Sequence, residues 1–135
     1  PRARFGTAFI KVAFSGDYGA SFLLQRLVGP AKARELMFTG DVIDAREAER
    51  LGLVNCIAGE EQLREQVNDL ARKVAAGPPV ALARMKQIMN RALTSDLAEV
   101  LELEAVGTVD MMETEDNAEA MKAFFEKRPP VFTGR

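Results

Sequence analysis

The sequence predicts an α/β protein of uneven build, with its strands confined to residues 1–58 and helices filling residues 59–135. Three observations carry that reading. Residues 38–55, FTGDVIDAREAERLGLVN, combine a short apolar strand with a capped and stopped helix. Residues 60–76, EEQLREQVNDLARKVAA, place Leu63, Val67, Leu70 and Val74 at i, i+4, i+7 and i+11, one face of an amphipathic helix. Beyond the break Gly77-Pro78-Pro79, three more segments show apolar residues at helical spacing and none shows strand alternation.

Composition narrows the chemistry. The chain has 135 residues, enough for one domain with a sizeable core but hardly two. Apolar residues make up 47% and charged residues 28%, an ordinary globular profile. A net charge of −2 and the lack of a Lys-rich helix argue against a nucleic-acid partner. There is no histidine, which removes Ser-His-Asp and Cys-His catalysis and His-based metal sites. Cys56 is the single cysteine, so an internal disulfide framework and a Cys-rich metal site are excluded. It lies in an apolar run and is expected to be a buried, inert thiol. No run is long and apolar enough to span a bilayer and none reads as a signal peptide, so no membrane partner and a cytoplasmic location are expected. The opening Pro-Arg-Ala-Arg-Phe reads as a cut through a larger protein or as a trimmed terminus.

Taken in order, residues 4–15, RFGTAFIKVAFS, are β-rich, with Ile10, Val12 and Phe14 on one side, and are expected as one strand or two short ones. Gly16-Asp17-Tyr18-Gly19 is a turn. A helix then runs from Ala20 with Phe22, Leu23, Leu24, Leu27 and Val28 as its apolar face, closed by Gly29-Pro30. Pro30 suits the first position of the next helix, residues 31–38. Val42 and Ile43 form a strand. Asp44 is the expected N-cap of the following helix, with Glu47 three residues on, and Gly52 is its stop. Residues 53–57 read as a second apolar strand. The helices expected after that cover residues 60–76, 80–93, 97–113 and 115–127. Thr94-Ser95 is read as the cap of the third and Thr114 as the cap of the fourth. Ala118, Met121, Phe124 and Phe125 are the expected buried face of the last helix, and the closing VFTGR is a tail. The methionines Met85, Met89, Met111, Met112 and Met121 fall at helical spacing and suit core or interface packing.

Three segments, in order and with no large gap, resemble the crotonase superfamily of enoyl-CoA hydratases and isomerases. LVGPAKARELMFTGDVIDAREAERLGLVN is similar to its mid-chain signature, FGTAFIKVAFSGDYGASFLLQRLVG to the segment before it, and TEDNAEAMKAFFEKRPPVFTGR to its C-terminal ending. The resemblance implies that residues 1–58 are the end of a crotonase-like ββα spiral core. Residues 59–135 would then be a C-terminal helical region for trimerisation and coenzyme contact. It also implies an acyl-CoA substrate, a homotrimer or hexamer, and no cofactor beyond the coenzyme A carried by the substrate.

Family enzymes stabilise an enolate with two backbone N–H groups that hold the thioester oxygen in a dry site. Those groups, and one of the two hydratase glutamates, lie in the N-terminal half of family members. The present residues would therefore be a C-terminal half that is inactive alone. The second hydratase glutamate falls where this chain has Phe9, which cannot move a proton. Isomerases place their acid eight residues later, at Asp17 of GDYG. An acid between Phe14 and Tyr18 is expected to be partly desolvated, as proton shuttling requires. Without the resemblance, Asp17 is an ordinary turn residue. Family positions that contact substrate or coenzyme fall on Tyr18, Phe124 and Lys127. Phe124 could pack against adenine and Lys127 could face a phosphate; otherwise they are a core aromatic and a solvated cation at a helix end. A second family aromatic is replaced here by Thr108. The resemblance leaves two classes open: an enoyl-CoA hydratase or isomerase, and a non-catalytic acyl-CoA-binding or assembly protein on the same fold.

Overall fold

The computed structural model describes residues 1–135 as two compact units, Pro1–Gln66 and Val67–Arg135. In the first, β1 (Arg4–Gly6) pairs antiparallel with β2 (Val42–Asp44), with Phe5 opposite Ile43. Between the strands lie a 3-10 helix (Ala8–Val12), α1 (Ala20–Val28) and α2 (Pro30–Thr39); α3 (Ala45–Arg50) follows β2. Leu24 of α1 packs with Ala33 and Leu36 of α2, and Val28, Met37, Ile43 and Leu53 close around them. The core is built on small side chains, because Ala33, Ala45 and Ala48 are the most deeply buried residues of the unit.

Local chemistry explains the boundaries. Pro30 opens α2 where its missing N–H costs nothing. Gly40 ends α2 at φ +65°, and its N–H donates to the Leu36 carbonyl. A side chain here would be strained by that φ and would also meet Ile10 Cγ2 at 2.9 Å. The expected cap of α3 is present: the Glu47 N–H donates to Asp44 Oδ1 at 2.9 Å. Gly52, at φ +76°, closes the same helix. The Leu53 N–H donates to the Ala48 carbonyl and the Gly52 N–H to the Glu49 carbonyl, the paired bonds of a Schellman stop.

Two expected strands are corrected. In residues 4–15 only Arg4–Gly6 is a strand, because β2 offers three residues of ladder and no more. At Thr7 the hydroxyl donates to the Leu36 carbonyl, and the chain coils into the 3-10 helix over α2. Residues 53–57 form no strand either. The Leu53 and Val54 N–H groups are taken by the Ala48 carbonyl, and the Ile57 N–H by Glu49 Oε1. Cys56 is consequently exposed rather than buried. On α1, Leu24 is buried while Phe22, Leu23 and Leu27 face outward.

Helix α4 (Leu63–Ala75) carries the chain out of the first unit, and α5 (Pro79–Ala92), α6 (Leu97–Met112) and α7 (Glu115–Glu126) build the second. Helices α5 and α6 meet at Gly107, the buried point of α6; a side chain there would crowd Arg84 Nε and Ile88 Cδ1 at 3.2 Å. The cap of α6 is Asp96, not Thr94-Ser95. Asp96 and Glu99 have the capping-box spacing, and the Glu99 N–H donates to Asp96 Oδ1 at 2.9 Å. The Thr94 hydroxyl instead donates back to Arg91 O at the end of α5. Thr114 caps α7 as expected, accepting from the Asn117 N–H.

The expected buried face of α7 is corrected as well. Asp116 and Ala123 are buried, whereas Ala118, Met121, Phe124 and Phe125 are exposed. Close packing through small residues such as Gly107 and Ala123 leaves the large apolar side chains pointing outward. Leu63, Val67, Leu70 and Val74 of α4 are likewise each more than half exposed, as are Met85, Met89 and Met112. No helix is long and apolar enough to cross a membrane.

Candidate functional site

Asp17 and Tyr18 sit in the turn that feeds α1. The Tyr18 N–H donates to Asp17 Oδ1 at 2.7 Å, and the Asp17 carbonyl accepts from the Ala20 N–H. Gly16 and Gly19 take positive φ, and so does Tyr18, at +54°. This conformation is uncommon for a bulky residue. It projects the ring into solvent, 89% exposed. The expected desolvation of Asp17 is not supplied by this chain, because Phe14 and Tyr18 both turn outward. One carboxylate oxygen is spent on the turn; the other has no hydrogen-bond partner.

Phe124 and Lys127 share the C-terminal end of α7. Phe124 is 76% exposed and meets Phe125 edge to face, with centroids 5.8 Å apart. It is therefore not the core aromatic of the ordinary reading. Lys127 is the C-cap residue, left-handed at φ +53°, and its N–H bonds back to the Ala123 and Phe124 carbonyls. Left-handed geometry costs a non-glycine residue about 1–2 kcal/mol, and glycine would fill this position without that cost. Only three non-glycine residues have positive φ: Ala13, Tyr18 and Lys127. Two of the three are predicted site residues, and backbone strain concentrates where side chains are put to use. The two pairs belong to different units of the chain. Phe9 is half-buried in the 3-10 helix. Thr108 lines an open groove of about 520 Å³ with Met85, Met89, Met111 and Met112.

The residues after α7, expected as a tail, are fastened to it by two carboxylates one turn apart. Glu119 accepts from Arg128 Nη1 at 2.6 Å, from Arg128 Nη2 at 2.9 Å, and from the Val131 N–H at 3.0 Å. Asp116, only 4% exposed, accepts from the Thr133 and Gly134 N–H groups at 2.7 and 2.9 Å. Its own N–H donates to the Arg135 carbonyl. Sequence reading missed this clamp. The available signal was an acid pair at i, i+3 near the start of α7, with an Arg-Pro-Pro just past its end.

The Arg128 guanidinium, and after it the Val131 N–H, hold the Glu119 carboxyl down to about 2, from an ordinary value of 4.5. A folded-state value below the unfolded one means that the clamp adds its full stability above pH 4.5. That contribution is lost as pH falls through about 2. In an acid titration followed by NMR, the Val131 amide signal is expected to stay native well below pH 4.5. A midpoint at the ordinary carboxylate value would contradict the clamp.

A family model described as enoyl-CoA hydratase/isomerase matches residues 1–135. The short-chain-enoyl-CoA hydratase of Clostridium acetobutylicum is 36% identical over 126 residues, covering 93% of this chain and 48% of the relative. The crotonyl-CoA hydratase of Syntrophomonas wolfei is 33% identical over 133 residues, covering 98% of this chain and 51% of the relative. The crystal structure of enoyl-CoA hydratase from Bacillus anthracis superposes with a TM-score of 0.95 at 32% identity, over 98% of this chain and 52% of that one. The chain thus spans about half the length of the curated relatives it matches.

Proposed function

Because this chain belongs to the enoyl-CoA hydratase/isomerase family, we propose that it is the C-terminal, coenzyme-handling portion of an enzyme that hydrates or isomerises an enoyl-CoA thioester. The observation that carries this reading is the family match over residues 1–135, together with relatives named as a short-chain-enoyl-CoA hydratase and a crotonyl-CoA hydratase. The reaction would run through an enolate. Its oxyanion would be held by two backbone N–H groups of the other half of the protein, so the present residues alone would not turn over substrate.

Within this portion, Asp17 is assigned proton transfer, either between C2 and C4 of the enoyl chain or in support of hydration. The free oxygen of its carboxylate is the one available to a substrate carbon. Phe9, in place of a carboxylate, argues for this single-acid arrangement over a two-glutamate hydratase. Tyr18 would cover the substrate from solvent and supply the desolvation that the turn lacks in this chain. Phe124 offers an exposed ring to adenine, and Lys127 a cation to a coenzyme phosphate. A homotrimer or hexamer would cover the exposed faces of α4 and α7. No further cofactor is required, and the cytoplasm is the proposed compartment.

The test is turnover of crotonyl-CoA and of a 3-enoyl-CoA by the full-length natural gene product. Hydration or double-bond migration supports the enzyme. Tight acyl-CoA binding with neither reaction would favour the alternative, an acyl-CoA-binding or assembly protein on the same fold, to which the missing glutamate at Phe9 points.

A further inference from the structure

We propose that Glu119 is a positioning residue for Lys127, holding the lysine's left-handed backbone so that its ammonium is presented to a phosphate of the coenzyme; the inference rests on the reading of Lys127 given above. Lys127 is bracketed. Before it, α7 sets the chain direction, and its own N–H is tied to Ala123 and Phe124 carbonyls. After it, the Arg128 N–H bonds to the Ala123 carbonyl while the Arg128 guanidinium forks onto both oxygens of Glu119. The same carboxylate takes the Val131 N–H, so the chain is held on both sides of Pro129-Pro130. A lysine released from this bracket would leave the left-handed region, which L-residues avoid, and its ammonium would point elsewhere.

Charge partition supports the same division of labour. Arg128 pairs with Glu119 and Glu126, whereas Lys127 forms no ion pair. The carboxylates are thus spent on the arginine, and the neighbouring ammonium is left for an external anion. A planar fork suits the structural task and a point charge suits a phosphate. Side chains that orient a contact without touching the ligand act through geometry, and small misplacements weaken the contact strongly.

The experiment measures binding of coenzyme A to the full-length protein at low ionic strength, for the wild type, Lys127→Ala, Glu119→Gln and the double variant. Glutamine keeps an acceptor for the Val131 N–H but cannot form the ion pair. Each single variant is expected to weaken binding roughly tenfold, the scale of one charge-assisted contact. The double variant is expected to bind no worse than Lys127→Ala alone, because Glu119 acts only through the lysine. Unweakened binding by Glu119→Gln, or a full additional loss in the double variant, would overturn the positioning role while leaving the lysine contact intact. If Lys127→Ala alone leaves affinity unchanged, the phosphate reading falls and the inference falls with it. Should Glu119→Gln fail to fold, Arg128→Lys keeps the charge and removes the fork. It is expected to reproduce the weakening, again with no effect in the Lys127→Ala background; normal binding by that variant would refute the inference.

Discussion

Asp17→Asn in the full-length protein is expected to lower kcat for an enoyl-CoA substrate by about 100-fold or more, with little change in KM. The substitution is nearly isosteric. The asparagine side-chain oxygen can still accept the Tyr18 N–H that now bonds to Asp17 Oδ1, so the turn should survive. Only the ability to take up and return a proton is removed. A residue that served the turn alone would instead leave kcat untouched and lower stability slightly. Unchanged turnover by a folded Asp17→Asn protein would sink the assignment. A loss appearing in KM rather than kcat would move Asp17 from proton transfer to binding.

Asp116→Ala is expected to destabilise the protein by about 2–4 kcal/mol and to loosen the chain end at Thr133 and Gly134. This buried carboxylate accepts two backbone N–H groups from the chain end, and removing it leaves both without a partner in a partly buried site. Phe132 would be loosened with them. Its side chain lines a small pocket together with Val80, Ala81, Met111 and Ala120. Urea unfolding would read the loss, and amide exchange at Thr133 and Gly134 would show whether the chain end is the part released. Native protection at those amides in Asp116→Ala would mean that the remaining contacts, the Glu119 bond to the Val131 N–H and the backbone bond from residue 116 to Arg135, hold the segment without the carboxylate.

What could be read from the residues depended on how far apart the interacting groups are. The α3 unit was legible because its cap, Asp44 with Glu47, and its stop, Gly52, act over three to five residues. The break at Gly77-Pro78-Pro79 and the cap at Thr114 were legible for the same reason. Residues 8–12 and 53–57 look like strands by composition, but a strand requires a partner. Around the first run the Phe9, Ala13 and Phe14 N–H groups found local acceptors at the Thr7, Ile10 and Phe9 carbonyls, and in the second the Leu53, Val54 and Ile57 N–H groups found Ala48 and Glu49. The amphipathic face of α7 was legible as a pattern. The pattern does not say what the face meets, and Met121, Phe124 and Phe125 turned out exposed. For the site, composition could only remove histidine-dependent catalysis and His- or Cys-based metal sites. Asp17, Tyr18, Phe124 and Lys127 came from resemblance. The positive φ of Tyr18 and Lys127 became visible only in three dimensions, as did the reach of Glu119 across nine residues to Arg128.

The pairing of β1 with β2 also bears on the order in which the first unit assembles. Its register joins Arg4 to Asp44, so three residue pairs must compensate for closing all the chain between them. Loop-closure entropy precedes that reward, and long-range pairing is slow. The contact between α1 and α2 spans only the Gly29-Pro30 corner and closes almost no loop. The helical hairpin is thus expected to form first and the ladder to pair after it. The turn bearing Asp17 leads directly into that hairpin, so the proposed proton-transfer residue is expected to be placed before the strands that flank it have met.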